Sequence, residues 1–344
     1  MSALSHSFWL LTAVSAVAFA LLWWGTLGRR RSQRLRTLRG LLAKSDIDDA
    51  DTALAALPQA LQEADAADIS KPWLMFIGNA AANLPGLLAI EAQPWIFWQA
   101  QVRPEMAAIA LGPAAVSNGV AGQRARGLWL RALMALAEQR PALPLNGIVV
   151  CVEARELLQP PQGVAPLAER LQRVLRETTQ LLELRLPVYV VVTGIERLAG
   201  HVEVCEVLSP EVLAQALGHR LPEPGLEPDA PAAAAGERFD ALFAPMSTRL
   251  RALGAGLLQE HPDAPAVRLA SHQWVEQLIA LAPGLRELVA KLFEPTGNAE
   301  TAFFWRGLYL TGASSPQSQA AFSSDLLHRF LPADQSLARL HRAF

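Results

Sequence analysis

Two short runs limit the folds open to this chain: Gly147-Ile148-Val149-Val150-Cys151-Val152 and Val188-Tyr189-Val190-Val191-Val192 carry no charge and are rich in β-branched side chains. Side chains alternate across a strand, so a run that is apolar at every position must be buried on both faces. Between the two runs, Leu167 to Leu184 has helical spacing and crossover length, which predicts parallel rather than hairpin pairing. The same alternation begins earlier. Trp73-Leu74-Met75-Phe76-Ile77, Trp95-Ile96-Phe97-Trp98 and Met106 to Leu111 read as strands, and Gly122 to Gln139 reads as a helix with Leu128, Leu130, Leu133 and Leu136 along it. The expected class is α/β, a mostly parallel sheet with helices on both faces. A Pro/Ala/Gly-rich stretch at 221–236 reads as a loop. Two long helices follow, Phe239 to Leu258 and Ala270 to Phe293. A last strand, Phe303 to Thr311, is expected to return to the sheet or cap it, with Phe304 and Leu308 on one face and Trp305 and Tyr309 on the other.

From Phe8 to Trp24 no residue is charged, and extension through Leu27 gives about 20 residues, enough to span a ~30 Å hydrocarbon layer. Phe8, Trp9, Trp23 and Trp24 sit where aromatic belts form. Arg29, Arg30, Arg31, Arg34, Arg36 and Arg39 follow at once, which predicts an outward N-terminus and an inward bulk. A cleaved signal peptide is the competing reading, since Ala18-Phe19-Ala20 mimics a cleavage site, but the apolar run continues past it and no basic n-region precedes it. The expected organisation is a periplasmic N-terminus at 1–7, a transmembrane helix at 8–28 and a helical stalk at 29–70. A 71–222 α/β domain, a 223–236 linker and a 237–344 helical extension with a returning strand complete it. With net charge −2 the chain offers nucleic acid no global attraction, and two cysteines, Cys151 and Cys205, suit a reducing compartment.

A strand ending at Gly78 and leading into a helix is where a phosphate loop belongs. That loop needs G-x4-G-K-[ST]: glycine for close approach, lysine for the β- and γ-phosphates, and a hydroxyl for Mg²⁺. Counting from Gly78, the three positions hold Asn83, Leu84 and Pro85. Lysine occurs only at Lys44, Lys71 and Lys291, and no aspartate lies between Asp68 and Asp229, so neither the phosphate-binding cation nor a metal-holding aspartate can come from the sheet region. After the later strand, a base-reading T-K-x-D is matched by Thr193-Gly194-Ile195-Glu196, its lysine lost. The loop is therefore read as degenerate, with no catalytic residue, cofactor or metal assigned. The alternative is a nucleotide-gated switch using an arginine in place of the lysine; Arg124 and Arg126 are available for it.

Four blocks in order carry a family resemblance: Lys71-Pro72-Trp73 into the loop, Pro144-Leu145-Asn146-Gly147-Ile148-Val149-Val150, Arg185-Leu186-Pro187-Val188-Tyr189-Val190-Val191-Val192-Thr193, and Phe304-Trp305-Arg306-Gly307-Leu308-Tyr309-Leu310-Thr311. Together they resemble the cytoplasmic domain of the IcmF/TssM proteins, inner-membrane components of type VI secretion systems. The resemblance implies a P-loop GTPase-like α/β domain under the inner membrane. Its implied partners are TssL-like membrane-complex and TssK-like baseplate proteins, and full-length TssM. Family members usually carry more spans and a large periplasmic region, whereas this chain ends at Phe344 after one span. The four blocks with the lost phosphate site suggest a non-enzymatic scaffold, and the missing periplasmic region suggests the alternative, a regulator competing with full-length TssM for shared partners.

Other chemistry lacks a starting point. His201 and Cys205 are four apart with Glu206 adjacent, a lone pair of the kind that more often marks a surface helix than a metal site. Asp46, Asp48, Asp49 and Asp51 best complement a helix N-terminus. Arg306-Gly307 could anchor a partner but fits core packing against the long helices better.

Overall fold

The computed structural model describes residues 9, 12–19, 34–43, 71–91, 97–117, 119–222, 234–293, 302–313 and 321–340. Its strands are β1 (Trp73–Gly78), β2 (Trp98–Val102), β3 (Ala107–Leu111), β4 (Gly147–Glu153), β5 (Leu184–Thr193), β6 (Leu217–Arg220), β7 (Phe303–Leu310) and β8 (Arg339–Leu340). The helices that matter are α1 (Leu84–Leu88), α2 (Gly119–Gln139), α3 (Ala154–Leu157), α4 (Pro161–Leu181), α5 (His201–Val207), α6 (Pro210–Ala214), α7 (Ala235–Glu260), α8 (Pro265–Ala280) and α9 (Ala282–Leu292).

The strands form one sheet in the order β2-β3-β1-β4-β5-β7-β6, and β8 pairs with the start of β5. Pairing is parallel from β3 through β7, and the two edge strands, β2 and β6, run antiparallel to their neighbours. β4 is buried along its whole length, as its unbroken apolar run requires. Each fully buried Val or Leu side chain contributes roughly 1.5–3 kcal/mol, so the central strands dominate the choice of fold. The faces differ in their cover. Met75, Ile77, Val150 and Val190 pack with α2, α4, α7, α8 and α9, whereas Phe76, Val149 and Val191 are covered by the short α1 and by Leu326, Leu327 and Leu331.

Several expectations change in detail. The returning strand enters the sheet between β5 and β6, but its faces are not those of simple alternation. Val188 pairs with Trp305 and the next residue, Tyr189, with Gly307, so Arg306 is an extra residue in a bulge. Trp305 and Leu308 therefore share the helix-covered core, and Tyr309 lies on the other face. The helix expected from Ala270 to Phe293 is two. Pro283 has no N–H to donate to the Ile279 carbonyl, and that carbonyl accepts from Leu281 instead as α8 ends and α9 begins. The helix placed at Leu167 starts earlier, at Pro161, and Leu184 already belongs to β5.

The expected membrane segment falls mostly outside the described residues. Residues 12–19 are helical and exposed, and among the described residues no helix is long and apolar enough to cross a membrane. Residues 34–42 form a helix whose Leu38 is fully buried in the helix-covered core and whose Arg39 reaches Glu138 of α2 at 3.4 Å. The Asp46 to Asp51 cluster, Trp95, Ile96 and residues 223–233 lie outside the described residues.

The less-covered face is closed by one carboxylate. Asp334 accepts from the Tyr189 hydroxyl at 2.7 Å and from Arg306 at 2.9 and 3.1 Å. Arg220 Nε adds a bond at 3.0 Å and Arg220 Nη2 a second ion pair. This fastens the segment after Phe322 to β5, β6 and β7 together. Arg306 therefore neither faces a partner nor packs against the long helices: it is buried and engaged with Asp334 on the less-covered face.

Candidate functional site

In a doubly wound sheet the ligand crevice lies beyond the carboxyl ends of the strands. Here that crevice is framed by the turn after β1, the start of α3 after β4, and the turn after β5. Gly78 ends β1, and a Cβ added there would come within 2.7 Å of the Cys151 carbonyl, so the glycine is required by close packing on β4. A single turn, Ala80–Ala82, follows, and then Asn83 in the left-handed region at φ 48°. Asparagine tolerates that conformation better than most residues, so the backbone can turn where a phosphate loop has glycine.

What the turn does with its donors is different. A phosphate loop holds anions by aiming free backbone N–H groups into a concavity. In this chain the Ala82 N–H bonds to Asn79 Oδ1 at 3.2 Å and the Gly86 N–H bonds to Asn83 Oδ1 at 3.3 Å. Asn83 N–H goes to the Ala80 carbonyl at 3.4 Å, and Leu87 N–H to the Asn83 carbonyl at 3.1 Å. Two asparagine side chains thus occupy donors that an anion would need. Leu84, at the lysine position, is 4% exposed and packs in the core beside Phe76 and Leu331. Pro85 lies within the first turn of α1, which is only five residues long.

Carboxylates line the crevice. Glu153, at the end of β4, caps α3 by accepting from the Glu156 N–H at 3.1 Å, and Glu156 in turn accepts from Asn79 Nδ2 at 2.6 Å. Burial pushes the Glu156 carboxyl above its ordinary value; the Asn79 bond opposes that shift and the nearby Glu153 charge adds to it. Glu153 Oε1 and Glu156 Oε2 are buried without a hydrogen bond, although Arg197 stands 3.6 Å from the former. Arg197 also lies 3.6 Å from Glu196, so one guanidinium links the ends of β4 and β5.

The base-reading positions are equally occupied. Thr193 is buried with its hydroxyl toward the Val152 carbonyl at 3.5 Å. Gly194 adopts φ 78°, and an added Cβ would stand 3.0 Å from Glu153 Oε1. Glu196 Oε2 accepts from the Ala313 N–H at 3.0 Å, tying the turn after β5 to the exit of β7. The structure therefore brings Gly78, Asn83, Leu84 and Pro85 to one crevice with Thr193, Gly194 and Glu196. Asn79, Glu153, Glu156 and Arg197 complete it. These last four were not singled out from the sequence; the signal for two of them was a Glu-x-x-Glu at the boundary of an apolar run, the pattern of a helix start.

The remaining candidates fall elsewhere. Arg126 pairs with Glu177 of α4 at 3.1 Å, and the side chain of Arg124 lies outside the described residues. His201 is not on a solvent face: it is 8% exposed, its ring meets Trp274 edge-on at 6.1 Å, and Cys205 Sγ is 3.4 Å from its Nε2. Burial lowers the His201 pKa and pushes the Cys205 thiol up to about 11, which favours the neutral form of both. Among the described residues no cluster of three or more potential ligands could hold a metal ion.

Comparison with known proteins adds an independent line. Residues 122–320, from the second helix through the returning strand and beyond it, match the model of the IcmF-related N-terminal domain. Over 192 residues the chain is 30% identical to type VI secretion system component TssM1 of Pseudomonas aeruginosa, a match that covers 55% of this chain and 17% of that protein. The chain thus spans a small part of its relative's length. With the family model covering more than half of its residues, this chain belongs to the IcmF-related family.

Proposed function

We propose that the chain is a non-enzymatic, TssM-like scaffold of a type VI secretion system, anchored in the inner membrane by its N-terminal segment with its N-terminus outward. Its α/β domain, a GTPase-like sheet with a closed phosphate loop, docks membrane-complex or baseplate subunits of the TssL and TssK kinds, and full-length TssM. Family membership supports the secretion role. The observation that carries the non-enzymatic part is the loop after β1. Its Ala82 and Gly86 N–H groups are taken by Asn79 and Asn83, its lysine position is a buried leucine, and its rim carries Glu153 and Glu156. Polyphosphate there would meet Glu153 and Glu156, with the Arg197 guanidinium already between Glu153 and Glu196, and like charges in a low-dielectric crevice repel strongly.

Titration calorimetry of the full chain in lipid nanodiscs with GTP and with ATP, each with Mg²⁺, checks this directly. The expected result is no saturable heat. Micromolar binding abolished by chelating Mg²⁺ would return the nucleotide-gated switch. Co-purification of secretion membrane-complex subunits with the detergent-extracted chain is the expected sign of the scaffold role.

A further inference from the structure

A second feature lies at the far end of the sheet, away from the closed crevice. β6 is its last strand, and among the described residues nothing pairs with its outer edge. Leu221 N–H bonds to the Arg306 carbonyl at 2.8 Å. By the two-residue alternation of an antiparallel ladder, the backbone groups of Gly218 and Arg220 then point outward. Natural edges are commonly blunted by lysine, proline or an inward-turned charge. Here the one charged side chain of the strand, Arg220, is drawn away to Asp334 on the less-covered face. Gly218 could take no side chain, since a Cβ there would fall 2.2 Å from the Leu308 carbonyl.

Beside this edge, between β6 and α7, lies a pocket of about 260 Å³. Its walls are apolar, with Leu217, Met246, Leu250 and Leu253 among them; its polar lining includes His219 and Arg249, and no carboxylate lines it. Arg249 is exposed at the rim. The volume falls below the roughly 300–1,000 Å³ that encloses a drug-sized ligand, and it suits a single large apolar side chain.

The geometry points to strand addition: β6 accepts an extended segment of a protein partner, which pairs with Gly218 and Arg220, seats a large apolar side chain against Leu250 and Leu253, and sets a carboxylate opposite Arg249. The open edge supplies main-chain affinity, and the pocket and arginine, both on the α7 side, supply selectivity for an apolar and an acidic residue two positions apart on one face of the added strand. The inference rests on the scaffold reading only in supplying a docking surface for it; nucleotide binding plays no part.

A random twelve-residue peptide library selected on the full chain in lipid nanodiscs, with fluorescence anisotropy on the synthesised winners, tests it. The selected peptides should carry an apolar and an acidic residue two positions apart. N-methylation at every second backbone position should abolish binding, while methylation at the intervening positions is tolerated. Leu253→Trp, which fills the pocket from its half-buried rim, should weaken binding at least tenfold with an unchanged melting temperature. Arg249→Glu should select basic peptides instead. Failure to enrich any peptide, or peptides whose binding is insensitive to both variants or to the methylation period, overturns the inference. Such a failure leaves the calorimetric result on nucleotides untouched, and nucleotide binding would overturn the scaffold reading without touching this surface.

Discussion

Two buried carboxylate clusters sit at different places in this sheet, and they are satisfied to different degrees. Asp334 has Tyr189, Arg220 and Arg306 around it, so both of its oxygens accept hydrogen bonds. At the strand ends, Glu153 and Glu156 each keep one buried oxygen without a bond, and the guanidinium between Glu153 and Glu196 stands at 3.6 Å from each. A fully answered buried charge holds elements together, because removing one member strands the rest. A partly answered one costs stability. The first cluster joins the sheet to the segment after Phe322; the second occupies the ligand crevice of the fold.

The sharpest way to break this contrast is Asp334→Asn. It leaves two guanidiniums facing a neutral amide, and a loss of about 3 kcal/mol or more is expected in urea unfolding. A loss below ~1 kcal/mol would show that the cluster is no clasp. Next comes restoration of the phosphate motif, Asn83→Gly with Leu84→Lys and Pro85→Ser. Because Leu84 is packed in the core, the triple variant should lose about 2–4 kcal/mol and still show no calorimetric GTP binding. Gain of Mg²⁺-dependent binding would mean that the Asn79 bond and the carboxylate rim are not what closes the crevice.

The smallest expected effect is that of Glu156→Gln. Burial raises the folded-state pKa of Glu156, so the folded protein binds this proton more tightly than the unfolded chain does. That contribution is fully present below the ordinary carboxylate range and is lost as pH rises through the folded value. The wild-type protein should therefore lose a little stability from acid toward neutral pH through this group. The glutamine variant should lack that slope and be no less stable at pH 7, as thermal melts across the range would show. A variant that is less stable at pH 7 would make Glu156 an asset like Asp334 and erase the contrast.

Much of the sheet was legible because two-sided burial leaves no charged position from Gly147 to Val152 in β4 or from Leu186 to Val192 in β5. The residue types at the loop were legible too: Leu84 and Pro85 offer neither a cation nor a hydroxyl, and the structure adds that Leu84 is buried. The bulge was not: Arg306 inside an aromatic run reads as one more alternating position, and only pairing register exposes it. Asp334 escaped notice because a lone aspartate in a helical tail has no local pattern; its partners come from strands far away in sequence. Asn83 reads in the sequence only as a lost glycine and Asn79 carries no pattern; the N–H groups that their side chains cap show only in the structure. The Pro283 break was visible in principle, but apolar periodicity on both sides of it suggested one continuous helix.

The position of β7 has a consequence for how the chain is made. It lies between β5 and β6, so β6 has no neighbour in the sheet until the ribosome has also synthesised α7, α8, α9 and then Phe303–Leu310. Until then the outer side of β5 waits as well, a nascent intermediate with Val188, Val190 and Val192 unpaired toward β7. Long-range pairing of this kind closes slowly, so this side of the sheet is the last to be completed.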